Sequence, residues 1–141
     1  MDMQSVVPEE NIHYLGLRPF EELPAYTRHF DVGLVPFRLS PLTLHSNPLK
    51  AFEYLAGGLP VVTTDIPELR AHADMLHIAG GPVDFIDLCE RALGENASAM
   101  REARSRAVEK HSWDARIMDI AAIVRAESDA VPVSAMTTSP Q

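Results

Sequence analysis

Ser46-Asn47-Pro48, followed by Lys50 and Glu53, is the segment whose residue types and spacing best suit chemistry. A small polar residue just ahead of a proline is a strong helix start. Such a start presents free backbone N–H groups and the positive end of the helix dipole to an anion such as a phosphate. Lys50 adds a full positive charge within one turn, and Glu53, three residues on, points the same way. An ionised glutamate only accepts hydrogen bonds, which suits a pair of vicinal hydroxyls such as those of a ribose. The plainer reading is that Ser46 and Asn47 merely cap a helix while Lys50 and Glu53 form an i,i+3 surface pair worth about 0.2–0.5 kcal/mol. The residues alone leave the two readings evenly matched.

The elements around this segment alternate. Ile12 to Gly16 reads as a short strand ending in glycine, and Phe20 to Phe30 as a helix whose start lies near Pro24. Asp31 to Pro36 is nearly all apolar and reads as a strand covered on both faces. Phe37 to His45 has no period and reads as a loop. The helix opened at Ser46-Asn47-Pro48 runs to about Ala56 and stops at Gly57-Gly58. Its apolar arc is Leu49, Phe52, Leu55 and Ala56, with Lys50, Glu53, Tyr54 and Gly57 opposite. Pro60 to Thr64 is a third strand, Pro67 to Ala73 a short helix, and Met75 to Ala79 a fourth strand. Two helices follow from Pro82 to Lys110, broken near Gly94-Glu95-Asn96, and Ser112-Trp113-Asp114 opens a last one reaching about Glu127. This order predicts an α/β fold: a Rossmann-like open parallel sheet with helices on both faces and ligands at the C-terminal ends of its strands. Residues 1–10 read as an N-terminal extension and 128–141, rich in Ser, Thr and Pro, as a disordered tail.

Composition narrows the function classes. The chain has 141 residues, enough for one domain with a real core. Its formal charge of −8 (12 basic against 20 acidic residues) lacks the basic footprint of a nucleic-acid binder. A local phosphate site is more consistent with that field than a broad one. No transmembrane segment and no secretory signal are expected, because no long apolar run or basic leader occurs. The single cysteine, Cys89, forms no internal disulfide and no cysteine-based zinc site. A cytoplasmic setting is the expectation. His13, His29, His72, His77 and His111 show no metal-ligand spacing, so no metal and no cofactor are expected. Cys89 reads as a buried helix residue and Trp113 as a packing anchor.

The run Asn47-Pro48-Leu49-Lys50-Ala51-Phe52-Glu53-Tyr54-Leu55-Ala56-Gly57-Gly58-Leu59-Pro60-Val61-Val62 resembles the signature of the C-terminal, donor-binding domain of GT-B glycosyltransferases of the family 4, group 1 type. Asn11 to Gly16 resembles the strand before that family's base-binding loop, and Glu22 to Tyr26 the helix after it. Asp31 to Phe37 resembles the next strand, and Ser112-Trp113-Asp114 the start of the last helix. The likeness covers 11–127, nearly all of the ordered chain, and is specific in combination. It implies that Glu53 binds the ribose of a nucleoside diphosphate sugar (a UDP- or GDP-sugar). It implies that Lys50, Asn47 and Ser46 face the diphosphate, and that Leu17 and Arg18 frame the base. Arg38 lies where it could reach a phosphate, with a solvated loop arginine as the plain reading. Where the family often has a second glutamate that touches the transferred sugar, eight residues before the first, this chain has His45, which could hydrogen-bond a sugar hydroxyl, with a loop histidine of no role as the plain reading.

The resemblance further implies hexosyl transfer to an acceptor hydroxyl with retention and no obligatory metal. No catalytic base can be named. It implies a missing N-terminal acceptor domain, with a separate acceptor-domain chain as the partner, and missing first strands, which would leave an open sheet edge. The alternatives are a non-catalytic nucleotide-sugar-binding module or subunit, or a GT-B sugar-nucleotide epimerase. A phosphorelay receiver fits poorly, since Asp31 opens its strand instead of closing it.

Overall fold

The apolar, β-branched runs around Val35, Val61 and Ile78 pair into a three-stranded parallel sheet. In this computed structural model, which describes residues 9–130, the strands are β1 (Gly33–Val35), β2 (Val61–Thr64) and β3 (His77–Ala79), in that spatial order. Gly33 pairs with Val61 and Val35 with Thr63; Val62 pairs with His77 and Thr64 with Ala79. The helices are α1 (Leu23–Thr27), α2 (Leu49–Ala56), α3 (Pro82–Leu93), α4 (Ser98–Val108) and α5 (Trp113–Ala130). Short 3-10 turns lie at Phe20–Glu22, Thr43–His45, Pro67–His72 and Glu109–His111.

Parallel sheets bury both faces, and β2 does so. Val61 joins Val35, Ala51, Leu55, Ile66, Leu69, Leu76 and Val108 in one core cluster. Val62, on the other face, packs with Ala79 and with Leu88 and Ala92 of α3. The Rossmann-like α/β reading of the sequence is met by this sheet.

Several elements differ from the sequence reading. Ile12 to Gly16 forms no strand, and Ile12, Tyr14 and Leu15 are exposed. A strand needs a ladder partner, and none among the described residues is presented to it. The expected helix from Phe20 to Phe30 shrinks to a 3-10 turn and five α-helical residues, with Pro24 in the first turn as anticipated. Met75 and Leu76 precede the last strand instead of joining it.

The α2 arc is rotated from the expected one. Ala51 and Leu55 are its fully buried residues, Leu49 is exposed, and Tyr54 packs inward. Ala51 and Leu55 lie four apart, so they share a face. The inward place of Tyr54 is made by Gly33, over which its ring lies. The stop at Gly57-Gly58 stands as read, as a closed Schellman motif. Gly58 N–H donates to Leu55 O at 2.8 Å, and Leu59 N–H to Tyr54 O at 3.0 Å. Gly58 carries the left-handed φ of +78° that this cap requires.

Trp113 is 76% exposed and anchors no packing, because α5 extends past the two core clusters. Helix α5 continues through Ala130, so residues 128–130, expected in a disordered tail, are helical. Residues 131–141 of that expected tail lie outside the described residues, as do residues 1–8 of the expected extension.

Candidate functional site

The loop after β1 is what delivers α2 to its place. Thr43 organises it: its hydroxyl donates to Arg38 O at 2.7 Å and accepts from Ser40 N–H at 2.8 Å. Thr64, at the end of β2, donates to Phe37 O at 3.0 Å and ties the loop to the sheet. Ser46 Oγ donates back to Thr43 O at 2.8 Å. It therefore does not cap α2, contrary to the sequence reading. The N-cap position is Pro48, with ψ of 91° and no side-chain cap, and the helix begins at Leu49. Pro48 is buried at this entry, and the Ser46 hydroxyl is spent on the loop.

Lys50 and Glu53 form an ion pair on α2, with 46% and 38% of their side chains exposed. At that exposure the pair contributes about 0–1 kcal/mol. The bland reading of these two residues thus holds as geometry. It does not exclude the other reading, because both residues line a cleft of about 670 Å³ between α2, α1 and residues 15–20. Leu17 and Arg18 line the same cleft from the facing loop. The Arg18 guanidinium lies 5.7 Å from the centre of the Tyr26 ring, within cation–π range.

Of the eight residues singled out in the sequence, the cleft gathers four: Leu17, Arg18, Lys50 and Glu53. Ser46, Asn47, His45 and Arg38 do not line it; they sit along the loop leading to α2. His45 Nδ1 lies 2.8 Å from Pro41 O, which makes Nδ1 the protonated nitrogen. Sequence reasoning missed Phe20, Leu23, Tyr26 and Tyr54 in the lining. Tyr26 carries a signal in its i,i+4 spacing with Phe30, but such spacing speaks for a helix face and not for a ligand. Tyr54 carried none, since its ring is brought over Gly33 by a contact between distant residues.

A second cleft, of about 500 Å³, lies at the C-terminal ends of all three strands. Pro36, Thr64, Asp65, Gly80 and Phe85 are among its walls. This is where an open α/β sheet places ligands. Asp65 is held by Arg70 through paired hydrogen bonds of 2.7 and 2.8 Å. That guanidinium keeps the Asp65 carboxyl below its usual range. Gly80 N–H is already taken by Asp84 Oδ2 at 2.7 Å.

Other candidates are structural. Burial pushes the Cys89 thiol up, so it is a poor nucleophile. Among the described residues no group of three or more His, Cys, Asp or Glu could hold a metal ion. No helix among them is long and apolar enough to cross a membrane.

Comparison with known proteins agrees with the motif. The family described as glycosyl transferases group 1 matches residues 2–95. A Bacillus subtilis (strain 168) protein, provisionally named teichuronic acid biosynthesis glycosyltransferase TuaH, is 31% identical over 119 residues, covering 81% of this chain. The chain spans 30% of that relative's length. No solved structure matches.

Proposed function

The chain belongs to the glycosyl transferases group 1 family, and on that premise we propose that it is the donor-binding part of a glycosyltransferase using a nucleoside diphosphate sugar. The observation that carries this reading is the single cleft that gathers Leu17 and Arg18 with Lys50 and Glu53. The base lies against Leu17, Arg18 and the Tyr26 ring, where flat apolar walls favour stacking. Glu53 accepts from the ribose hydroxyls, exchanging its contact with Lys50 for them. Lys50 then turns to the diphosphate, together with the uncapped first turn of α2 and Asn47, while Ser46, whose hydroxyl and N–H both go to Thr43 O, takes no part. His45 and Arg38, further along the loop, lie toward the sugar and the outer phosphate.

The reaction is transfer of a hexosyl group to an acceptor hydroxyl, with retention and without an obligatory metal. Charge builds on the departing diphosphate in the transition state. The free N–H groups at the start of α2 stabilise it there, fixed in place beforehand by the helix, and Lys50 joins them once it leaves Glu53. The acceptor side belongs to an N-terminal domain outside this chain, supported by the chain's 30% share of its relative. Soluble cytoplasmic action is part of the same proposal.

Calorimetric titration with UDP and GDP tests the reading. One of the two nucleotides binds the chain, and Glu53→Ala and Lys50→Ala each weaken that binding by about tenfold or more. A folded chain that binds neither, or binds equally well after both substitutions, overturns it. A non-catalytic nucleotide-sugar-binding subunit would bind in the same way, and is separated by the absence of sugar transfer when the acceptor domain is supplied.

A further inference from the structure

Phe52 sits between Lys50 and Glu53 in sequence, but its ring turns to the other side of α2. There it meets His72 edge-on, with centroids 5.0 Å apart and planes at 86°. It also meets His111, tilted at 48° and 5.5 Å away. The two imidazoles are T-shaped to each other at 4.9 Å. Three rings from three elements thus form one cluster, tying α2 to the Pro67–His72 turn and to the Glu109–His111 turn that feeds α5.

Nε2 of His111 is closed off from solvent and has no hydrogen-bond partner among the described residues. A proton added to this ring would place charge where nothing accepts it. The groups acting on His111 oppose that charge in the main. His72, Lys110 and Arg116 repel it, and Asp74 alone attracts it. Helix α2 contributes the uncharged Phe52 ring.

We propose that His72 and His111 are a proton-sensitive positioning pair, which holds α2 in place through Phe52 and releases it when His111 is protonated. The consequence for ligand rests on the donor-site reading above, since α2 carries Lys50 and Glu53; the release itself does not. Desolvation, then His72, Lys110 and Arg116, lower the affinity of His111 for a proton in the folded chain. The folded value therefore lies below the unfolded one of 6.5. Stability is highest above that unfolded value and falls as the pH drops from it through the folded value.

The test uses the whole chain without nucleotide. Imidazole resonances are followed by NMR from about pH 8 to about pH 5, beside amide-exchange protection of residues 49–56, in the wild type and in His111→Phe. His111 is expected to titrate below an ordinary histidine, with protection of α2 lost over the same interval. His111→Phe, which keeps a ring without a titrating group, is expected to retain protection at low pH. His72→Phe removes one repelling neighbour and is expected to move the His111 titration upward, which decides the matter if His111→Phe does not fold. Titration of His111 at the ordinary value, or loss of α2 protection at the same pH in wild type and His111→Phe, overturns the proposal. Failure of UDP and GDP to bind would sink the donor reading and leave these outcomes untouched.

Discussion

A Cβ built on Gly33 would stand 2.6 Å from two ring carbons of Tyr54 and 2.8 Å from its Cβ. Strand β1 and helix α2 therefore touch through the absence of a side chain. The ring cannot swing clear, because its own Cβ is part of the contact. Tyr54 also lines the cleft, one residue from Glu53, so this contact sets the distance between the sheet and the charged face of α2.

Gly33→Ala is accordingly expected to destabilise the chain by about 1–3 kcal/mol, the usual cost of overpacking. Denaturant unfolding measures it. Adding Tyr54→Ala should recover part of the loss, because the two substitutions share one contact. Equal losses with and without Tyr54 would show that the strain lies elsewhere.

Gly58→Ala meets two obstacles. Its φ of +78° disfavours a Cβ, and that Cβ would stand 2.9 Å from Arg101 O. A strained left-handed residue costs about 1–3 kcal/mol, so the midpoint of unfolding should fall clearly. The closest backbone atom belongs to α4, so the α2–α4 contact is expected to loosen as well. Faster amide exchange in residues 98–108 of the variant is the corresponding signature, and its absence would confine the effect to the α2 cap.

How much of this was legible beforehand depended on whether the cause was local. The three central strands, the break between α3 and α4 and the glycine stop after Ala56 all follow from short-range patterns, and all were readable. The helical spacing of Lys50 and Glu53 puts them on one side of α2, and both line the cleft there. The first predicted strand was not sound, since Ile12 to Gly16 has strand-like residues but no ladder partner among those described. The α2 arc was misplaced because Gly33, some twenty residues earlier, makes room for Tyr54. Trp113 looked like an anchor by residue type alone, whereas burial depends on what stands opposite. Ser46 had the right chemistry for a cap and was diverted by Thr43 O, a competition that no single-residue preference contains.

Lys50→Ala separates stability from binding. The pair with Glu53 is well exposed, so unfolding free energy is expected to change by no more than about 1 kcal/mol. Nucleotide affinity should fall far more, and its salt dependence should weaken with the lost charge. A variant that loses stability and affinity together would point to a structural role for Lys50 instead.

Glu95 gives the chain an acid limit. It accepts from Arg104 Nη2 at 2.7 Å and lies 3.1 Å from His77 Nε2. Arg104 also reaches Gly58 O at 3.3 Å and Glu95 O at 2.9 Å, so one network joins β3, α4 and the end of α2. Burial works to raise the carboxyl, but the hydrogen bonds from His77 and Arg104 prevail and hold it below its ordinary value of 4.5. A depressed folded value means that the unfolded chain binds the proton first. The stabilisation is therefore complete above that ordinary value and is lost as the pH falls through the folded one. Glu95→Gln should cost about 1–3 kcal/mol at neutral pH, by leaving a largely buried guanidinium without its carboxylate. It should also flatten the pH dependence of unfolding on the acid side, in the window just below pH 4.5. Unfolding curves taken through that window decide it: an acid limb as steep in Glu95→Gln as in the wild type would assign the limit to another carboxylate, with Asp65, held by Arg70, the next to examine.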